Sequence, residues 1–196
     1  MIEVQNAIKT FDGNQVLKNV SAIFEAGKTN LIIGQSGSGK TVLMKSIVGI
    51  HRIDSGHILY DGRDITIMKR KQLNQLRREI GMLFQGSALF DSMTVLENVR
   101  FPLDMFSDET EDEKDRRARF CLERVELSHA VDLYPSEISG GMQKRAAIAR
   151  AIVLNPKYLF CDEPNSGLDP KTSLLIDKLI QDITHEFNIT TIINTH

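Results

Sequence analysis

A chain of 196 residues with 24 basic and 26 acidic side chains has a formal net charge of -2, which gives it no electrostatic pull toward nucleic acid. Its length suits one substantial domain, and 41% hydrophobic with 26% charged residues is ordinary for a globular protein in water. No apolar run is long enough to cross a bilayer. The start "MIEVQNAIKTF" lacks a basic stretch before an apolar block and predicts no signal peptide. Cys121 and Cys161 stand alone, without metal or disulfide spacing, so the cytosol is the expected compartment.

In chain order, "IEVQNAIKTF" and "NVSAIFEAGK" alternate roughly about "DGN" and predict two strands and a turn. "TNLIIG", apolar and ending in glycine, predicts a strand buried on both faces. A helix follows from about Lys40 to Ile50, and "GHILYDGRDIT" returns to strand and turn. "IGMLFQ", "KYLFCDEP" and "ITTIIN" predict further buried strands, with Cys161 a small core residue in "YLFC". Between Gly86 and Asn155 helical patterns dominate. There Thr110 and Glu113 stand at capping-box spacing, and the charge run behind them reads as a solvated helix face. The pattern predicts an α/β chain: a parallel-sheet core with a helical insertion, binding ligands beyond the carboxyl ends of its strands.

The chemistry-bearing motifs fall at those ends. Residues 34–41, "GQSGSGKT", fit G-x-x-x-x-G-K-[ST] between a strand and a helix. Gly34, Gly37 and Gly39 let backbone N–H groups wind round an anion, with Gln35, Ser36 and Ser38 between them. Lys40 adds a charge toward β- and γ-phosphates, and the Thr41 hydroxyl suits Mg²⁺. The strand "YLFC" then delivers two carboxylates: Asp162 for the metal and Glu163 as general base on a water. A second phosphate-binding turn, Ser139, Gly140 and Gly141 in "EISGGMQKR", opens another helix about a hundred residues later.

"GQSGSGKT", Gln85 after an apolar strand, "ISGGMQKR", "LFCDEP", "SGLD" and a terminal "TH" stand in one order. That ordered set, spanning nearly the whole chain, resembles the ATP-binding cassette ATPases. The resemblance implies a P-loop NTPase (RecA-like) core with an N-terminal antiparallel β portion, and ATP and Mg²⁺ as ligands. It implies one nucleotide-binding domain, residues 1–85 and 155–196 forming the core and 86–154 a helical signature subdomain. Two copies would pair head to tail as a homodimer, the turn Ser139–Gly140–Gly141–Met142 of one copy closing over the cradle of the other. That answers why one chain carries two cradles: one helix start leaves the far side of the γ-phosphate wet, and a second expels water there.

Gln85 resembles the glutamine that touches Mg²⁺ or the attacking water, and His196 the switch histidine at the γ-phosphate. Asp169 resembles the dimer-interface loop and Phe11 the aromatic that stacks on adenine. Val42, Met142 and Asn165 depart from the common pattern; Val42 implies one phosphate contact fewer. Members of the family continue past the histidine with further strand and helix.

"GSALFDSMTVLENV", with Met142, resembles the Mla-type lineage, whose ATPases energise phospholipid transport between the membranes of diderm bacteria. Exposed Leu89, Phe90 and Met93 would receive a coupling helix from integral-membrane permease subunits in the Gln85–Pro102 region. The protein would then lie peripherally on the cytoplasmic face of the inner membrane. Other ABC systems, solute importers or lipoprotein exporters, share much of this region, and a cassette working without a permease is the remaining alternative. A generic kinase or GTPase would leave "ISGGMQ" unexplained.

Overall fold

The computed structural model describes residues 1–195; the expected switch residue, His196, lies outside them. An N-terminal hairpin, β1 (Ile2–Phe11) and β2 (Asn14–Phe24), turns at Asp12 and Gly13, both at positive φ. Strand β3 (Thr29–Ile33) leads into α1 (Lys40–Ile47), and β4 (Ser55–Tyr60) and β5 (Arg63–Asp64) follow. Then come α2 (Arg70–Arg78), β6 (Ile80–Leu83), α3 (Val95–Phe106), α4 (Glu111–Arg124) and α5 (Gly140–Ile152). The described chain closes with β7 (Tyr158–Asp162), α6 (Pro170–Glu186) and β8 (Thr190–Thr195).

These strands make two sheets. The antiparallel one has order β2-β1-β4-β5, and the parallel one β3-β8-β7-β6. Strand β7 shows how they share a core. Side chains alternate along a strand, so Tyr158 and Phe160 enter a core with Ile2, Val4, Met44 and Ile58, between the sheets and α1. Leu159 and Cys161 enter a second core on the other face, among α3, α4, α5 and α6. Buried on both sides, β7 reads as a continuous apolar run. Tyr158 also ties the sheets together by its hydroxyl: it donates to Asp61, which pairs the Met1 ammonium at 2.6 Å.

Two expectations need correction. β3 is not buried on both faces: it is an edge strand, with Leu31 55% and Ile33 68% exposed and only its alternate residues facing inward. An edge strand and a central strand share the same apolar composition, so the run could not tell them apart. The first helix ends at Ile47, not Ile50, because Gly49 takes a positive φ and breaks it. The helix α2 carries so few apolar residues that its pattern gave no signal; only Leu76 is buried. The capping box at Thr110 and Glu113 forms, with the Thr110 N–H donating to Glu113 at 2.8 Å.

Candidate functional site

All four parallel strands run the same way, so their carboxyl ends meet along one edge of the sheet. β3 ends at the glycine cradle, β6 just before Gln85, β7 at Asp162 and β8 beside Asn194. In the cradle, Gly37 and Gly39 take φ of 77° and 94°, a region costly for any side chain. A Cβ on Gly39 would also press Val16 at 3.1 Å, so the loop sits hard against β2. Gly34 is confined too, since an added Cβ would lie 2.9 Å from Ser38 Oγ. The buried Lys40 ammonium donates to the carbonyls of Gly34 at 2.7 Å and Gln35 at 3.0 Å, drawing the loop round itself. Ser36 lies within the loop, and the Val42 side chain packs on the core between the sheets.

The acidic half lies alongside. One amide, that of Asn194, reaches Asp162 Oδ1 at 2.7 Å and Thr41 Oγ1 at 3.3 Å, bringing both predicted metal-binding oxygens to one nitrogen. Asn194 Oδ1 is buried without a partner among the described residues. A hydroxyl, a carboxylate and an orphaned acceptor suit Mg²⁺, a hard cation that keeps several waters and takes its remaining ligands from phosphate oxygens. No cluster of three or more His, Cys, Asp or Glu side chains among the described residues suits a metal held by protein alone. Glu163 follows at φ 47°, rare for a residue with a side chain. Its N–H donates to Asn194 O at 3.0 Å and its carbonyl accepts from Ser166 N at 3.1 Å, pinning that conformation. Gln85 Nε2 donates to Glu163 Oε2 at 2.8 Å and to Ser166 Oγ at 3.2 Å.

The signature turn is elsewhere. Ser139 caps α5, its hydroxyl accepting Met142 N–H at 3.3 Å, and Met142 itself is half-buried against the helical core. Asp169 caps α6, accepting from the N–H groups of Lys171 and Thr172, and hydrogen bonds from Thr172 hold its carboxyl below its ordinary pKa. Ser139, Gly140, Gly141, Met142 and Asp169 line one cleft of about 790 Å³, and no residue of the cradle lines it. Phe11 is 37% exposed, with Lys9 over its ring at 5.1 Å and His51 edge-on at 5.3 Å.

The chain belongs to the ABC transporter family. The family model for ABC transporters matches residues 17–166. The ABC protein named probable ribonucleotide transport ATP-binding protein mkl, from Mycobacterium leprae (strain TN), is 40% identical over 195 residues, covering 100% of this chain and 56% of the relative. The methionine import ATP-binding protein MetN of Carboxydothermus hydrogenoformans is 44% identical over 199 residues, covering 100% and 59%. The chain thus spans little more than half the length of these curated ABC relatives. Among solved structures, the dimeric post-hydrolysis cassette MJ0796 bound to ADP and Pi matches with TM-score 0.89 and 32% identity, over 100% of this chain and 88% of that one. cbiO1 from Clostridium perfringens, part of the ABC transporter complex cbiONQ, matches with TM-score 0.92 and 35% identity, over 100% and 78%.

This ABC cassette also contains groups that the motifs did not single out. Asn194 is one, hidden in the apolar run "ITTIIN", where a polar residue at a buried strand position was the available signal. Asn98 is another: wholly buried on α3, it accepts Phe90 N–H at 2.7 Å and donates to the carbonyls of Phe90, Met93 and Thr94. It folds the loop expected to meet a permease. Within that loop Phe90 is exposed, but Leu89 and Met93 are half-buried and Leu89 packs on the helical core, so the expected exposed trio is reduced to one. Lys144 and Arg150, on α5, bond to the backbone of residues 85–88. No helix of the described residues is long and apolar enough to cross a membrane.

Proposed function

We propose that this chain is the ATP-hydrolysing nucleotide-binding subunit of an ABC transporter, acting as a homodimer that closes on ATP and Mg²⁺. The observation that carries the reading is a separation. The cradle meets Asp162, Glu163 and Gln85 along one sheet edge, while the signature turn opens into a different cleft beside Asp169. A nucleotide in the cradle would be covered on one side only, and a second copy supplies the other wall. The dimeric state of the MJ0796 structure, with ADP and Pi bound, supports the same assembly.

In this mechanism the backbone of Gly34–Gly39 and Lys40 hold the β- and γ-phosphates, with Phe11 stacking on adenine. Thr41, Asp162 and Gln85 would hold the metal, which would supply positive charge against the charge that develops on the phosphates. Glu163, oriented by Gln85, takes the proton of the attacking water, and His196 contacts the γ-phosphate. Ser139–Gly140–Gly141–Met142 of the partner copy and the Asp169 loop exclude bulk water. Residues 1–85 and 155–196 form the nucleotide-binding core, and 86–154 the helical subdomain.

The Gln85–Pro102 region, with Phe90 exposed at its tip, docks permease subunits at the cytoplasmic face of the membrane. For the cargo, the run "GSALFDSMTVLENV" supports phospholipid transport. The named relatives favour a second reading, movement of a small polar solute, as in methionine import or ribonucleotide transport. Co-purifying the full-length protein with its permease and analysing bound lipid separates the two. For the assembly, Ser139→Arg should abolish ATP hydrolysis by the full-length protein and leave ATP affinity of the monomer intact; equal loss of both would sink the shared site.

A further inference from the structure

We propose that Lys144 and Arg150 are positioning residues, clamping the backbone of residues 85–88 to α5 so that Gln85 is held against Glu163. The inference rests on the proposed hydrolytic role of Glu163. Lys144 is buried and donates to the Gln85 carbonyl. Arg150, further along the same helix, spreads its guanidinium across two successive carbonyls, Ser87 O and Ala88 O, each at 2.7 Å. Ser87 and Ala88 take φ of 58° and 51°, two consecutive left-handed residues that both carry side chains. A loop in that conformation needs an external hold. The planar fork of arginine presents separate N–H groups to the two neighbouring acceptors in a fixed geometry, which the single flexible ammonium of a lysine does not pre-set.

Neither cation forms an ion pair with a carboxylate among the described residues. Burial pulls both below their ordinary pKa values, partly offset at Lys144 by Cys161 and Glu163. Two desolvated cations without a directly paired carboxylate are an expensive way to build stability alone. Their common acceptor is the segment whose side chain, Gln85, donates to Glu163 at 2.8 Å. The same helix begins with the signature turn at Ser139–Gly141. A rigid element therefore links the wall offered to the partner's nucleotide with the orientation of this copy's own base.

The test uses full-length protein carrying Arg150→Met, the milder Arg150→Gln, Lys144→Met and the conservative Lys144→Arg. Amide hydrogen exchange is followed without nucleotide, and kcat and KM for ATP are measured separately. Exchange at residues 86–88 should rise about tenfold in the Met variants while amides in β6 and α5 keep their protection. kcat should fall about tenfold with KM within about twofold, and Lys144→Arg should restore most of the loss. Unchanged exchange at 86–88 overturns the clamp, as does protection lost equally along α5, which would mean the cations only support helix packing. If the unsubstituted protein hydrolyses no ATP, the proposed function fails, and the exchange measurement still decides the clamp.

Discussion

Asn194 donates its side-chain amide to Asp162 Oδ1 at 2.7 Å, across the two adjacent parallel strands β8 and β7. The same nitrogen reaches Thr41 Oγ1 at 3.3 Å, and the carbonyl end of the amide has no partner among the described residues. A residue that orients metal ligands typically controls metal affinity about 10- to 100-fold. Asn194→Ala should therefore weaken Mg²⁺-dependent ATP binding by about that factor and leave binding in excess chelator unchanged. Calorimetry with and without Mg²⁺ measures it; an equal loss in both conditions would assign Asn194 to the fold.

Glu163 stands at positive φ with Gln85 as a donor to its carboxylate. Replacing it by glutamine keeps the shape and removes the proposed base. Turnover of the full-length protein should fall about 100- to 10,000-fold with ATP affinity preserved. Unaltered steady-state hydrolysis in Glu163→Gln would require another base.

The two signature glycines should behave differently. A Cβ on Gly141 would meet Thr172 Cγ2 at 2.7 Å, and Thr172 is held in place by its hydrogen bond to Asp169. Gly141→Ala should cost about 1–3 kcal/mol of stability, as overpacking does. At Gly140 the nearest atom would be Leu168 Cδ2 at 3.9 Å, an ordinary contact. Gly140→Ala should be neutral or stabilise by up to about 1 kcal/mol, from helix propensity. Urea denaturation of both variants without nucleotide tests the contrast, and equal effects would refute the packing argument.

Burial pushes the Cys121 thiol from 9.0 to about 11, with Arg117 opposing weakly. Above pH 9 the unfolded chain gives up this proton and the folded one keeps it, so unfolding releases protons and stability falls as pH rises. The contribution is complete below pH 9 and lost progressively from 9 to about 11. Tyr60, buried and raised well above its ordinary 10.0, adds to the decline at higher pH. Each such group contributes at most about 1.4 kcal/mol per pH unit. Cys121→Ala should flatten the 9–11 portion of a stability–pH curve; an unchanged slope would show that the thiol titrates normally.

Much of the site was legible before any coordinates. Glycine spacing, the lysine and hydroxyl behind it, and two carboxylates after an apolar strand have few other uses together, and the sheet brings them to one edge. Asn98, Asn194, Lys144 and Arg150 were not legible as functional. Each is a common residue type in an ordinary helical or strand pattern, and for three of them the partners lie far away in the chain: Asn194 reaches Thr41, Lys144 reaches Gln85 and Arg150 reaches Ser87. Leu89 was misread as exposed for a related reason. A loop residue's burial depends on the fold of the loop, which here depends on Asn98 reaching back to Phe90.

Local chemistry decided which segments become cradle, capped helix and buried strand, because glycine conformations, capping hydroxyls and apolar alternation act within a few residues. Which of those pieces face each other was left to packing. Parallel pairing of β3, β8, β7 and β6 lines their ends up on one edge, and the seating of α5 against α6 places Ser139 and Asp169 on one cleft that no cradle residue lines. Long-range register and helix docking are sums of many weak contacts between distant residues, and no single stretch of sequence carries them.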